Sequence, residues 1–178
     1  MKRFRERIIL IGSGGAGKST LARELGEALQ RPVHHLDALY WSAGWVEPDK
    51  QGWRKAQEEL CAQDSWIMDG NYGGTLDLRL AAADTILFLD FPRVLCLYRA
   101  LKRTFVYRGT TRPDMTPGCP ERIDLKFLRW IWNYPATRRP GILKKLAKLD
   151  EAKEIVILRS PNEAVAYVAR VRAESVIL

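Results

Sequence analysis

The stretch GSGGAGKST, residues 12–20, follows the apolar run IILI (8–11) and precedes LARELGEAL (21–29). From Gly12 to Ser19 it matches G-x-x-x-x-G-K-[ST] without deviation. Four glycines, Gly12, Gly14, Gly15 and Gly17, let the backbone turn its N–H groups inward, where side chains would collide with a phosphate. With Ser13 and Ala16 they form the expected cradle. A helix opening near Lys18 adds the positive end of its dipole. Lys18 is expected to reach the β- and γ-phosphates of a nucleoside triphosphate, Ser19 to ligate Mg²⁺, and Thr20 to contact the α-phosphate. Because the motif sits between an apolar strand and a helix, the mechanism's own context is present in the sequence.

Outward from that stretch, strands and helices alternate. Apolar runs predict strands at 7–12, 33–37, 65–70, 85–90 and 154–159. Helical spacing predicts helices over 19–30, 48–63, 75–83, 92–109, 124–133, 141–150 and 161–173. Residues 108–124, with three prolines and two glycines, predict a loop. Nearly continuous apolar strands separated by helices imply a parallel sheet covered on both faces. The expected fold is therefore a three-layer α/β P-loop NTPase with five parallel strands. A single domain over 1–178 is expected, with its core at 1–92 and 150–178, a basic helical lid at 93–149 and an acceptor region at 37–64. In open parallel sheets, ligands bind beyond the carboxyl ends of the strands. Those ends are expected to carry Gly12, Asp37, Asp69 and Asp90.

Composition narrows the function classes. No apolar run approaches the roughly 20 residues of a membrane span. The basic-then-apolar start, MKRFRERIILIG, is too short in its apolar part for a secretory leader, so a cytoplasmic location is expected. Three scattered cysteines, Cys61, Cys96 and Cys119, and two histidines give neither a disulfide framework nor a zinc pattern. The net charge is +8. Between Arg93 and Lys148 lie fourteen Lys and Arg but three acids, so this segment holds the whole positive excess. That predicts a polyanionic partner, either nucleotide phosphates or a nucleic acid.

A magnesium–nucleotide site calls for a carboxylate at a strand end. Asp69 is the preferred candidate, because Gly70-Asn71-Tyr72-Gly73-Gly74 leaves backbone space beside a ligand. Asp90 runs into Phe91-Pro92 and is read as a cap. Asp37 is followed by Tyr40, Trp41 and Trp45, so an acceptor hydroxyl or base could meet an acid, acting as general base, beside aromatic rings. Trp53 and Trp66 are read as core, and His34 and His35 as a packed histidine and its exposed neighbour.

These motifs resemble the nucleoside monophosphate kinase type of P-loop kinases, a group that includes adenylate, shikimate and gluconate kinases. GSGGAGKSTLAREL, HHLDALYW, WIMDGNYGGTLDLRL, DTILFLDFPR, GCPERIDLKFLRWIWNYP and LRSPNEA, in that order, resemble more closely the DNA topology modulation proteins of the FlaR type, an adenylate kinase-related family. The resemblance covers nearly the whole chain. It implies that Gly12 to Thr20 bind ATP phosphates, that Asp69 serves Mg²⁺, and that Arg79 meets the acceptor beside Asn71 and Tyr72. It also implies that Arg99, Arg103 and Arg122 clamp the transferring phosphoryl group from a mobile lid. The DGNY motif stands where adenylate kinases carry Phe-Pro-Arg after Asp-Gly, which removes an arginine that grips the acceptor's phosphate. The expected activity is transfer of the γ-phosphoryl group of MgATP to a nucleoside- or nucleotide-like acceptor. The alternatives are an ATP-binding regulator acting on DNA topology, and simple ATP hydrolysis.

Overall fold

The computed structural model describes residues 5–175, so the ends of the expected 1–178 domain, residues 1–4 and 176–178, lie outside the described residues. Five strands, β1 (Arg7–Gly12), β2 (Val33–His35), β3 (Trp66–Asp69), β4 (Thr85–Leu89) and β5 (Glu154–Leu158), form one sheet in the order β2-β3-β1-β4-β5. Every pairing is parallel, and β1 sits at the centre with Leu10 opposite both Asp69 and Leu87. A central parallel strand is buried on both faces, which is why β1 reads as unbroken Ile-Ile-Leu-Ile rather than as an alternation. Successive side chains still point to opposite sides. Ile8 and Leu10 enter one core with α1 (Lys18–Leu29), α5 (Arg93–Val106) and α8 (Pro161–Ser175). Ile9 and Ile11 enter the other, against α3 (Lys50–Cys61), α4 (Leu76–Ala82) and α7 (Arg139–Leu146). Trp53 and Trp66 are buried in that second core, as their sequence context suggested.

Two elements depart from the expectation. Strand β2 stops at His35, and residues 36–40 form a short helix, α2 (Leu36–Tyr40). Asp37 therefore sits in the first turn of a helix rather than at a strand end. The apolar run that suggested a strand arises because Leu36 is fully buried in the second core. Helix α6 (Leu125–Thr137) runs through Pro135, where a stop was expected. The ring removes one backbone donor close to the helix end, while burial of Ile131 and Tyr134 holds the final turn in place. Asp124 caps the helix by accepting from the N–H groups of Lys126 and Phe127. Residues 107–124 lack helix, as the prolines indicate, and are fastened by a bridge between Arg108 and Glu121.

The first loop of the fold is pressed against α5. Gly15 has φ +76°, and a Cβ there would stand 2.1 Å from the Cys96 carbonyl oxygen. Backbone conformation and backbone contact thus both exclude a side chain. Gly15→Ala is expected to destabilise the fold by about 1–3 kcal/mol, seen as a lower urea midpoint. An unchanged midpoint would show that α5 does not press on the loop.

Candidate functional site

The loop 12–17 leads from β1 into α1, whose N-cap is Gly17 at φ +92°. The Lys18 ammonium folds across this loop and donates to the carbonyls of Gly12 and Ser13, at 3.0 and 2.9 Å. Burial pushes the Lys18 amine down from its ordinary pKa, while Asp69 and Asp37 oppose that shift. A cation held in this way is poised for an anion that would complete its neutralisation. Gly12 and Ser13 lie beneath the loop rather than on a cavity wall, whereas Gly14 to Thr20 face an open cavity of about 1030 Å³.

Asp69, the last residue of β3, is nearly fully buried and has both oxygens engaged. One accepts from the Ser19 hydroxyl at 2.6 Å. The other stands 2.6 Å from His35 Nδ1. The two residues expected to serve Mg²⁺, Ser19 and Asp69, thus lie side by side. His35, one of the two histidines read as a packed residue and its exposed neighbour, instead has its ring against this carboxylate and orients it. That hydrogen bond raises the His35 pKa against the effect of burial. The signal was present as the alternation along VHHLD, which sends His34 and His35 to opposite faces. Among the described residues no cluster of three or more His, Cys, Asp or Glu could hold a metal ion. One hydroxyl and one carboxylate are a fitting oxygen donor set for Mg²⁺ that shares its sphere with phosphates and water. Asp90, read as a cap, instead engages Arg139 Nε of α7 at 2.8 and 2.9 Å.

The sequence-predicted acceptor residues divide into two groups. Asp37 and Trp41 face the cavity. The Tyr72 hydroxyl donates to Asp37 Oδ1 at 2.6 Å, and its ring packs between Tyr40 and Trp53. Burial, then the Asp37 charge, raises the Tyr72 phenol far above its usual range, so it remains a donor. Asn71, although at the cavity edge, spends its amide on Gly12. Its Oδ1 accepts from the Gly12 N–H at 3.1 Å, and its Nδ2 donates to the Gly12 carbonyl at 2.7 Å. Arg79 does not reach the cavity, and this corrects the role that the resemblance implied. It is fully buried in α4, and its guanidinium donates to the carbonyls of Gly70, Asn71 and Tyr72. Burial pushes its pKa down to about 10. Its place is under the 70–72 loop, where it supplies donors to the carbonyls of Gly70 and Asn71 and shares that of Tyr72, at the left-handed turn with φ 33°, with the Thr75 N–H and hydroxyl.

The opposite wall comes from α5 and the segment after it. Arg99 lies next to Gly17, with 3.5 Å between its Nη1 and the position of a Cβ there. Arg103 pairs with Glu121 at 3.1 Å, and Arg122 lies over the Trp45 ring at 5.5 Å. Sequence reasoning passed over Arg112 and Glu121. Both are buried, 2.8 Å apart, and Arg112 also lies 3.4 Å from Asp114 and 3.8 Å from Asp37. The only available signal was the single Glu of GCPER within a strongly basic stretch. The same segment is tied to the loop after α2. Gly44 N–H donates to the Gly118 carbonyl at 2.9 Å, and the Thr116 hydroxyl to the Ala38 carbonyl at 2.5 Å.

A three-layer sandwich with a glycine-rich loop between its central strand and first helix is a three-layer α/β P-loop NTPase fold. Among solved structures it is similar to a shikimate kinase from Acinetobacter baumannii in complex with shikimate, with 18% identity, a TM-score of 0.56 and coverage of 92% of this chain and 89% of that one. A shikimate kinase from Bacteroides thetaiotaomicron is similar at 17% identity and TM-score 0.55, covering 97% and 98%. A gluconokinase from Sinorhizobium meliloti 1021 is similar at 17% and 0.52, covering 99% and 98%. At these identities the likeness is one of fold. No protein-family model matches the chain, and no curated protein matches it. Among the described residues no helix is long and apolar enough to cross a membrane.

The burial of Arg79 generates a test. Arg79→Leu is expected to cost about 2–4 kcal/mol by orphaning the carbonyls of Gly70 and Asn71, read by chemical denaturation. Unchanged stability would overturn the assignment.

Proposed function

We propose that this protein is a cytoplasmic ATP-dependent phosphotransferase that moves the γ-phosphoryl group of MgATP to a small nucleoside- or nucleotide-like acceptor. The observation that supports it most is a single cavity. At one end it holds the phosphate loop and the Ser19–Asp69 pair, and at the other the half-exposed carboxylate of Asp37. Two reactants could therefore meet in one enclosure, which is where the rate advantage of a bimolecular transfer arises. The solved structures of similar fold include a gluconokinase and shikimate kinases, which is in keeping with this reading.

In this mechanism the amides of residues 14–19 bind the phosphates, and Lys18 turns from its carbonyl partners onto them. Ser19 and Asp69 would hold Mg²⁺, which when bound supplies charge neutralisation across the phosphates. His35 keeps Asp69 oriented. Arg99, Arg103 and Arg122 line the wall from which guanidinium groups would stabilise the moving charge. Asp37 accepts the proton of the acceptor hydroxyl, and Tyr72 holds that carboxylate in place. The working division is a core (1–92 and 150–178), an acceptor region (37–64) and a lid (93–149) whose segment 108–124 opens to admit substrates and closes to exclude water. The DNA-acting alternative, together with the FlaR-type resemblance, draws on the basic charge of 93–148. No part of the site's geometry depends on that reading, so phosphotransfer is the function the site supports.

Lys18→Ala should lower turnover about 100-fold or more while the fold is retained, measured as ADP release alongside circular dichroism. An unaffected rate would remove Lys18 from the chemistry. MgATP should protect the 108–124 segment from trypsin at Arg108 and Arg122, the Arg112–Pro113 bond being resistant to it. Equal cutting with and without nucleotide would remove the lid.

A further inference from the structure

The charges that line the cavity bear on which acceptor it can hold. Seven basic side chains face it, and seven acidic ones. A net-neutral lining is unexpected for a wall built largely from the basic segment. It follows from how the guanidinium groups are spent. At the acceptor end Arg112 is held by Glu121, Asp114 and Asp37 together. Arg103 shares Glu121, and Arg122 is laid over Trp45. Glu47, beside Tyr40, adds a further carboxylate to the same wall. Arg112 and Arg103 are thus already paired, and Arg122, stacked on Trp45, is the guanidinium assigned above to the moving phosphoryl group, so no further one is left here for the two-point pair that a carboxylate or phosphate on an acceptor would need. An anionic acceptor would also approach MgATP, which carries net negative charge of its own.

What this end offers instead is aromatic surface and one free acid oxygen. Trp41 and Trp45 meet edge to face with centroids 5.4 Å apart, and both line the cavity. Tyr40 lies edge-on to Trp41 at 5.0 Å. Trp45 is held at φ 62°, a costly backbone conformation for a bulky residue. Its indole N–H is buried without an acceptor among the described residues. Asp37 has Oδ1 taken by Tyr72, while Oδ2 has only the distant Arg112 contact at 3.8 Å.

We infer that the acceptor is uncharged, a hydroxyl compound with a flat or CH-rich face of nucleoside or sugar type, seated on Trp41 and Trp45 with its hydroxyl on Asp37. This inference rests on the phosphotransfer reading above and narrows it by excluding nucleotides and sugar acids. In the step, the acceptor oxygen bonds to the γ-phosphorus, and the bond from that phosphorus to the β–γ bridging oxygen breaks. ADP leaves, and the hydroxyl proton passes to Asp37. Glu121 and Asp114 then act as specificity residues, because they cancel the charge of Arg112.

The test uses the full chain with MgATP and paired acceptors: nucleosides against their monophosphates, and aldoses against the corresponding aldonates. Product is read by phosphorus NMR. The neutral member of a pair is expected to show kcat/KM about tenfold or more above its anionic partner. The nucleoside and aldose arms identify which neutral source is used. Glu121→Gln should shift the ratio toward the anionic member by about tenfold, and Asp114→Asn does the same from the other side of Arg112 should the first variant fail to fold. Equal or better turnover of the anionic members overturns the inference and leaves the phosphotransfer reading standing. Turnover of neither class, with MgATP binding intact by calorimetry, overturns both, and loss of MgATP binding itself overturns the parent reading first.

Discussion

The two hydrogen bonds between the Asn71 amide and the backbone of Gly12 are the joint on which the site depends. They fasten the carboxyl end of β3 to that of β1, where the phosphate loop begins. Gly12 could not make this contact with a side chain of its own, because a Cβ there would stand 2.6 Å from the Leu89 carbonyl oxygen. Three consecutive residues therefore have linked tasks. Asp69 meets Ser19 and His35, Gly70 lies against Leu36 of α2, and Asn71 holds Gly12. Arg79 satisfies the carbonyls on the underside of the same loop. Loosening any of these contacts would move the Asp69 carboxylate relative to the 12–17 loop, the two groups on which the proposed magnesium–nucleotide site rests.

Electrostatics separates the chain's net charge from the charge its cavity presents. Of the fourteen basic residues between Arg93 and Lys148, five line the cavity. Others are spent elsewhere: Arg139 on Asp90, Lys145 on Asp77, and Arg93 over the ring of Trp132 at 4.1 Å. Inside, Glu121 is the counterweight. It is buried between Arg103 and Arg112, and it removes from the acceptor end the positive field that the segment's composition suggests. A buried carboxylate shared by two guanidinium groups also fixes their geometry, because releasing one partner would leave an uncompensated charge.

What the sequence made legible is what local physics determines. The glycine loop between β1 and α1, the five strands and the place of Asp69 at the end of β3 follow from glycine conformation, apolar runs and motif spacing. Asp37 was found, but its setting was misread. Burial of Leu36 looks the same in a strand and in a short helix, and periodicity cannot separate them over five residues. The burial of Arg79 was illegible for another reason. An arginine nine residues beyond Gly70 carries no mark that its partners are backbone carbonyls rather than a ligand. Arg112, Asp114 and Glu121 lie within ten residues in sequence, yet their pairing with Arg103 and Asp37 depends on how a proline-rich segment lies across two helices. No spacing rule encodes such an arrangement.

That segment also explains how one cavity could serve two substrates in order. Its hydrogen bonds to the 38–44 stretch are one between backbones, from the Gly44 N–H to the Gly118 carbonyl, and two from side chains, the Thr116 hydroxyl to the Ala38 carbonyl and the Cys119 thiol to the Ser42 carbonyl. Contacts of this kind exchange readily with water at a net cost of about 1 kcal/mol each. The segment's attachment to α5 is of a different kind, through the buried Arg103–Glu121–Arg112 network. An opening motion would therefore part the segment from the acceptor region and leave it joined to α5. It would carry Arg112 away from Asp37 and expose that carboxylate for an incoming hydroxyl, while Arg99 stays beside the phosphate loop. Under the proposed phosphotransfer, closure would restore the Arg112–Asp37 contact over an acceptor, and the proposed proton acceptor would be completed only with the water-excluding segment in place.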